Sequence, residues 1–360
     1  MSLSRTLLHA PHVAAALWRL GRGRTAAASV NLLNECNQRC PMCKVWTGPE
    51  VQLSLADLER AFQALRAAGV RLLEIAGGEP LLRKDLPEIL ALADRSDLLY
   101  ALNTNGTAVT DSALEAVRAA PGLLQVAVSI DSLDRERYAF LRGRDQLRQA
   151  LAGLERLRAC GLPAPLKVNV AVSRHNFTEL PAFLAFVRAR GLFLSAFPVN
   201  QGPGEHRSDC GLFAASPEER AGMAAAFEDL ARLRRRGEPL WDPSAFYLAA
   251  ARFVRREVLG PCGAGELYLD LRSDGAIAPC VDFPAVASLD DLVAGRAWGA
   301  LAASRDAAAR CQAKTPCCYT CTMAVAEIGR RPIAFAVEAG LVLLKAALRG
   351  SAPRGTPEER

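Results

Sequence analysis

The sequence has no long uninterrupted apolar run, no extended block of like charge and no internal repeat beyond a strand–helix alternation. Each absence removes a class of function. The first apolar stretch is broken by His9, Pro11, His12 and Arg19, unlike the continuous centre of a signal peptide. The stretch from Ile333 to Leu348 carries Glu338 and Lys345 and is too short to span a bilayer comfortably. Net charge is +6, and the densest basic run is Arg232 with Arg234, Arg235 and Arg236. That run follows an Ala/Leu-rich helical stretch and lacks interleaved aromatics, so it reads as a solvated helix end, and no nucleic-acid partner is expected. An apolar fraction of 51% argues against general disorder, and 360 residues suffice for one large α/β domain with a smaller appendage.

What the chain has in excess is cysteine, eleven in all. Their spacing is of the metal-ligand kind rather than that of a disulfide framework. Thiolate-held iron–sulfur clusters need a reducing compartment, so the expected location is the cytoplasm.

Residues 1–27 read as an N-terminal amphipathic helix closed by Gly21-Arg22-Gly23-Arg24. Apolar, β-prone runs then recur at Ser29–Leu33, Leu72–Ala76, Leu99–Thr104, Gln125–Ile130, Lys167–Val172 and Phe193–Val199. Helical patterns fill the gaps at Asp57–Ala68 (with Ser54 as N-cap), Leu86–Ala93, Asp111–Ala119, Asp145–Ala159 and Thr178–Arg190. Six strand–helix units imply parallel strands joined by right-handed crossovers. Barrels, closed or partly closed, and open doubly wound sheets share this pattern. In both, functional groups belong at the carboxyl ends of the strands. Residues 28–200 form this core. A Gly- and Pro-rich loop and a helical linker occupy 201–259, a Cys- and Gly-rich module 260–328, a last helix 329–350, and a disordered tail 351–360.

Directly after the first strand stands Cys36-Asn37-Gln38-Arg39-Cys40-Pro41-Met42-Cys43, a C-x3-C-x2-C array. A short loop can wrap three thiolates round one metal centre. On a four-iron cluster, three protein ligands leave one iron open for a substrate-like molecule; the alternative is zinc with a fourth ligand from elsewhere. The second strand ends in Gly77-Gly78-Glu79-Pro80. Paired glycines allow close backbone approach to a ligand, and Glu79 can accept from an ammonium group.

On these motifs the sequence resembles the radical S-adenosylmethionine superfamily over roughly residues 28–325. The resemblance implies a partial (β/α)6 TIM-like barrel. It implies a [4Fe–4S] cluster on Cys36, Cys40 and Cys43, whose open iron chelates the methionine amine and carboxylate of S-adenosylmethionine. It implies that Gly77, Gly78, Glu79 and Pro80 hold the methionine amine. Asn103 and Asn105 at the third strand end, and Ser129 and Asp131 at the fourth, would face the cofactor's ribose and carboxylate, with Asn169 and Ser173 nearby. Met42 stands where the family often has an aromatic and would pack on the adenine.

Further on, Cys262, Gly275 and Cys280 form a C-x12-G-x4-C unit with a hairpin between them, Glu266–Leu271 and Ala276–Ala278 around Ser273-Asp274-Gly275. Cys318-Tyr319-Thr320-Cys321 can close the other side. Zinc and a second [4Fe–4S] cluster suit four such thiolates equally. The unit resembles the SPASM extension or its shortened form, Twitch. Cys311, Cys317 and Cys321 match the last three positions of the SPASM C-x2-C-x5-C-x3-C pattern, Ala308 stands where its first cysteine belongs, and no cysteine follows Cys321. The resemblance therefore implies one auxiliary [4Fe–4S] cluster on Cys262, Cys280, Cys321 and Cys318, with Cys317, Cys311 or substrate as alternative fourth ligands. Cys160 reads as packing, and Cys210 matches nothing.

The implied chemistry is reductive cleavage of S-adenosylmethionine to a 5′-deoxyadenosyl radical, fed by a one-electron donor such as flavodoxin or ferredoxin. Oxidation or cross-linking of a substrate follows. Asp282 and Tyr268 are candidates for proton removal. A small or lipid-like substrate is favoured over a ribosomally made peptide or protein side chain, because 1–27 is too short for a peptide-recognition domain. The apolar helices at both ends would rest on a membrane surface, line an apolar channel, or simply cap the barrel. A non-catalytic zinc-binding protein is the distant alternative.

Overall fold

The computed structural model describes residues 3–200, 211–260, 262–314 and 317–350. Cys210 and the expected tail 351–360 lie outside the described residues. The chain begins with α1 (Leu3–Gly21). Six strand–helix units follow: β1 (Ala27–Asn31), α2 (Leu55–Ala67), β2 (Leu72–Ala76), α3 (Leu86–Arg95), β3 (Leu99–Thr104), α4 (Asp111–Ala119), β4 (Leu123–Ser129), α5 (Arg135–Arg142), α6 (Leu147–Ala159), β5 (Leu166–Val172), α7 (Leu180–Arg190) and β6 (Phe193–Pro198). Ser54 caps α2 by accepting from the Asp57 N–H, and Thr110 and Asp134 do the same for α4 and α5. Each such cap contributes about 1 kcal/mol.

The second half adds α8 (Pro217–Arg235), α9 (Ser244–Val254), β7 (Tyr268–Leu271), β8 (Ala276–Ala278), β9 (Ala287–Ser288), α10 (Leu289–Val293), α11 (Ala297–Lys314), α12 (Val325–Arg330) and α13 (Pro332–Gly350). All nine strands form one sheet in the order β6-β5-β4-β3-β2-β1-β7-β8-β9. β1 to β6 are parallel neighbours, and β7 pairs parallel with β1, Ala27 opposite Tyr268. The sheet is therefore an open, partly wound barrel rather than a closed one. The cysteine-rich hairpin is not a separate lobe: β7 extends the barrel sheet at its β1 edge, and β8 then turns back antiparallel. Spacing along the chain cannot show this, because β7 finds its partner about 240 residues away.

Helices cover the outer face, with Leu58, Phe62, Leu65, Ile89, Leu154 and Phe183 fully buried between helix and sheet. α1 crosses the opposite end from the strand carboxyl termini. Arg19 donates to the Ala68 carbonyl, His12 meets Asp97 and His9 meets the Pro121 carbonyl, each just before a strand begins. No helix among the described residues is long and apolar enough to cross a membrane.

Candidate active site

At the carboxyl ends of the strands lies a cavity of about 280 Å³. β1 supplies Ser29 and Asn31, β2 Glu74, β3 Asn103, β4 Ser129, β5 Asn169, β6 Phe197 and β7 Tyr268. Cys36, Cys40, Cys43 and Met42 line it from the β1–α2 loop, and Gly77, Gly78, Glu79 and Pro80 from the β2–α3 loop. Asn105 and Asp131 complete the rim at the ends of β3 and β4. The structure thus gathers all nine expected cofactor-contacting residues and the first three cysteines around one space.

The cysteine loop is closed at its neck by Asn34, whose N–H donates to the Val51 carbonyl and whose side chain accepts from the Val51 N–H at 2.7 Å. The glycines line the cavity and, besides the close ligand approach expected of them, fit one loop against another. A Cβ on Gly78 would sit 1.9 Å from the Glu35 carbonyl oxygen, and one on Gly77, where φ is +130°, 2.4 Å from that of Leu33. What approaches them is the start of the cysteine loop. Gly78 N–H donates to Leu33 O at 2.7 Å and Glu79 N–H to Glu35 O at 2.9 Å, so the two motifs are locked edge to edge.

Glu79 is buried with both oxygens engaged. Oε1 accepts from Thr104 Oγ1 at 2.6 Å and from Leu81 N–H at 3.0 Å, and Oε2 accepts from Asn105 N–H at 2.7 Å. Burial pushes this carboxyl above its ordinary value, while the donors oppose the rise. Its direct task is to tie the β3 end to the β2–α3 loop. Asn105 reaches on to Asn37 of the cysteine loop at 2.7 Å.

Asp131 pairs with Arg142 at the end of α5, Nε to Oδ2 at 2.8 Å, and accepts from Ala171 N–H at 2.7 Å. Burial works against the Arg142 charge, but Asp131 and Cys40 outweigh it and hold the guanidinium protonated. Arg142 Nη1 lies 3.9 Å from Cys40 Sγ, and Gln38 N–H lies 3.4 Å from Cys36 Sγ. The chain turns sharply after Arg142 at Gly143, where a Cβ would meet the Arg39 carbonyl at 2.0 Å. Arg39 N–H donates to Arg142 O, docking α5 on the loop.

Burial pushes the Cys36 thiol up to about 11 and that of Cys43 up to about 12, and raises Cys40 as well. Such thiols ionise only against a strong positive centre. The surroundings fit a [4Fe–4S] cluster: three thiols on one short loop, donors aimed at two sulfurs, and a cavity on the remaining side.

The second set is less uniform. Cys321 lines the cavity, Cys280 lies near enough to both Cys262 and Cys321 to feel their charge, and burial pushes Cys280 up to about 12. Cys318 is fully buried beside Cys317, with its N–H on Asn200 Oδ1 at 2.8 Å. The charges it feels are those of Cys317, Glu327 and Asp242. Among the described residues no group of three His, Cys, Asp or Glu is placed to hold a single metal ion.

Of the two candidate proton acceptors, Tyr268 lines the cavity, and burial holds its phenol far above the ordinary value, which disfavours it as a base. Asp282 is not in the lining and instead accepts from Tyr319 Oη at 2.5 Å, with Tyr319 facing the cavity. Ser173 is buried in a turn with Asn176, also away from the lining. Cys160 bonds to the Leu157 carbonyl at the end of α6.

Sequence reading missed Glu74, Asn31 and Arg142. Glu74 accepts from Asn103 Nδ2 at 2.7 Å inside the barrel. Its signal was present, since a lone acid in the apolar run LLEIA faces the barrel interior when its neighbours Leu73 and Ile75 are buried outside it.

A model of the radical SAM superfamily matches residues 30–187. Among curated proteins, the GTP 3′,8-cyclase of Ectopseudomonas mendocina (strain ymp) is 37% identical over 172 residues, 46% of this chain and 51% of that one. That of Paenarthrobacter nicotinovorans is 34% identical over 194 residues, 51% and 54%. The chain spans about half the length of these relatives. Among solved structures, tagged anSMEcpe with bound AdoMet aligns with a TM-score of 0.62 at 12% identity, over 90% of this chain and 98% of that one. Streptococcus suis SuiB bound to S-adenosylmethionine aligns at 0.59 and 16%, over 72% and 61%. At these identities the likeness is one of fold.

Proposed function

Since residues 30–187 belong to the radical SAM superfamily, we propose that this enzyme binds S-adenosylmethionine against a [4Fe–4S] cluster on Cys36, Cys40 and Cys43 and oxidises a small polar molecule held near Glu74. One observation carries the reading: the three cysteines, the Gly77–Pro80 loop and the ends of β3 to β6 line a single cavity. When bound, cluster and cofactor supply a 5′-deoxyadenosyl radical that takes hydrogen from substrate.

The chain's own part is positional. The Gly77 and Gly78 backbone fixes the methionine end beside the cysteine loop, and Glu79 holds that loop against Asn105. Asp131 and Arg142 neutralise each other at the rim, and Met42 and Phe197 give the adenine apolar surfaces. Beyond the cofactor remain Asn31, Glu74, Asn103 and Tyr268, which face the substrate. Glu74 is placed to accept a proton from a substrate hydroxyl or amine, and Cys262, Cys280 and Cys321 would hold an auxiliary [4Fe–4S] cluster able to act as one-electron acceptor. The fourth position of that cluster falls to Cys318, Cys317, Cys311 or substrate. A flavodoxin or ferredoxin would serve as the one-electron donor. Among the described residues neither α1 nor α13 contributes to the cavity lining, so the apolar channel is not part of the reading.

The names of the curated relatives favour a second substrate, a GTP-like nucleotide. Against it, the cavity lining contains, among the described residues, one cation, Arg142, already paired with Asp131, and offers Glu74 where a triphosphate would need positive charge. Reconstituted enzyme given GTP, S-adenosylmethionine and dithionite under anaerobic conditions is expected to leave GTP intact by chromatography. Consumption of GTP would replace the small-molecule oxidation with the nucleotide reaction.

A further inference from the structure

α13 is amphipathic the wrong way round for a soluble surface. The two charged residues in its first fourteen positions point inward. Glu338 accepts from the Ser244 N–H at the start of α9 and pairs with buried Arg234, and Lys345 Nζ donates to the Arg236 carbonyl at 2.6 Å. Its outward face is aliphatic: Ile333 is 80% exposed, Val337 67%, Leu344 59% and Leu343 38%. The spacing 333, 337, 340, 344 is one stripe of a helix, with Gly340 in its middle. Hydrophobic side chains this exposed and this aligned mark a contact surface rather than scattered surface residues.

Basic groups border the stripe. Arg235 and Arg236 end the α8 region on one side, and Arg331 precedes the helix. Between Arg235 and Arg331 lies a cleft of about 230 Å³, floored by Ala334 and Phe335. The acids of that cleft are engaged, Glu327 with Arg330 and Glu338 with Ser244 and Arg234. Next to the start of α13, with Gly21 against Pro332, α1 presents Trp18, 54% exposed with Arg22 stacked over its ring at 4.9 Å. An aliphatic stripe, a half-exposed tryptophan and a basic border together match the chemistry of an anionic bilayer surface.

We infer that α13, with Trp18 beside it, docks this protein peripherally on anionic lipid. The orientation follows from the fold. α1 lies under the starts of the strands, and Lys345 meets the turn that leads through Pro239 to the start of β6. The docking face is therefore the barrel end away from the cavity, and the active-site mouth faces the aqueous side. Arg235 and Arg236, exposed and unassigned by the catalytic reading, gain a role as headgroup contacts.

Full-length, cluster-loaded protein would be sedimented with phosphatidylcholine vesicles with and without phosphatidylglycerol, at low and high salt. Expected is binding to the anionic vesicles that weakens with salt. Val337→Glu with Leu344→Glu should abolish it, and Arg235→Ala with Arg331→Ala should weaken it, all at wild-type iron content and 5′-deoxyadenosine formation. No sedimentation with anionic vesicles overturns the inference, as does equal binding by Val337→Glu/Leu344→Glu. So does a dimer by light scattering that this double substitution converts to monomer without any vesicle binding, since the stripe then covers a second copy.

Discussion

Arg142 and Asp131 form an ion pair buried at the rim of the cavity, 2.8 Å apart, and the same guanidinium reaches 3.9 Å from the sulfur of Cys40. The pair joins α5 to the end of β4 and sets a positive group beside the cysteine loop. Its worth is asymmetric, because removing one partner strands a charge whereas removing both does not.

Arg142→Met is therefore expected to lower stability by about 3–5 kcal/mol in urea unfolding. Adding Asp131→Asn should restore most of that loss. Additive losses in the double variant would show that the two charges do not depend on each other.

Gly78→Ala places a methyl group 1.9 Å from the Glu35 carbonyl, so the β2–α3 loop and the cysteine loop must part. The barrel core lies elsewhere and should survive. Expected are a near-native far-ultraviolet circular dichroism spectrum and a marked loss of retained iron after desalting. Full iron retention would mean that the locked loops do not position the thiols.

Glu79→Gln removes a charge-assisted acceptor and sets an amide N–H2 against donors from Leu81, Thr104 and Asn105. Such bonds contribute about 1.5–3 kcal/mol each. The dissociation constant for S-adenosylmethionine on reconstituted protein should rise about tenfold or more. An unchanged constant would contradict the role given to this loop.

The Arg83 guanidinium holds the Asp85 carboxyl below its usual 3.8, and also donates to the carbonyls of Leu32 and Leu53 at the neck of the cysteine loop. With the folded pKa below the unfolded one, the unfolded chain binds the extra proton first as pH falls. The pair's stabilisation is complete above 3.8 and is lost as pH drops through the lower folded value. Wild type should exceed Asp85→Asn in stability at neutral pH, and the gap should close on acidification through that window. A pH-independent gap would assign the effect to packing.

Much of this was legible along the chain. Strands buried on both faces write themselves as apolar runs, so β1 to β6 appear within two or three residues of their sequence positions, and Ser54 caps α2 as expected. The C-x3-C-x2-C and Gly-Gly-Glu-Pro motifs are local and lie where a strand ends. What sequence concealed were relations between distant elements. β7 joins β1, the glycines serve one loop's fit to another, and Arg142 on an unread helix neutralises Asp131. The reversed polarity of α13 was hidden for the same reason, since Glu338 and Lys345 look like a solvent face until Ser244 and Arg236 are seen beneath them.

The most direct measurement is anaerobic reconstitution with iron and sulfide, followed by metal counting and a dithionite-driven assay for 5′-deoxyadenosine. It compares wild type with a Cys36→Ala/Cys40→Ala/Cys43→Ala variant. Expected are about eight irons per wild-type chain and about four in the variant, with 5′-deoxyadenosine from wild type alone. Zinc in place of iron, or fully loaded protein that leaves S-adenosylmethionine intact, would contradict a radical enzyme built on these three cysteines.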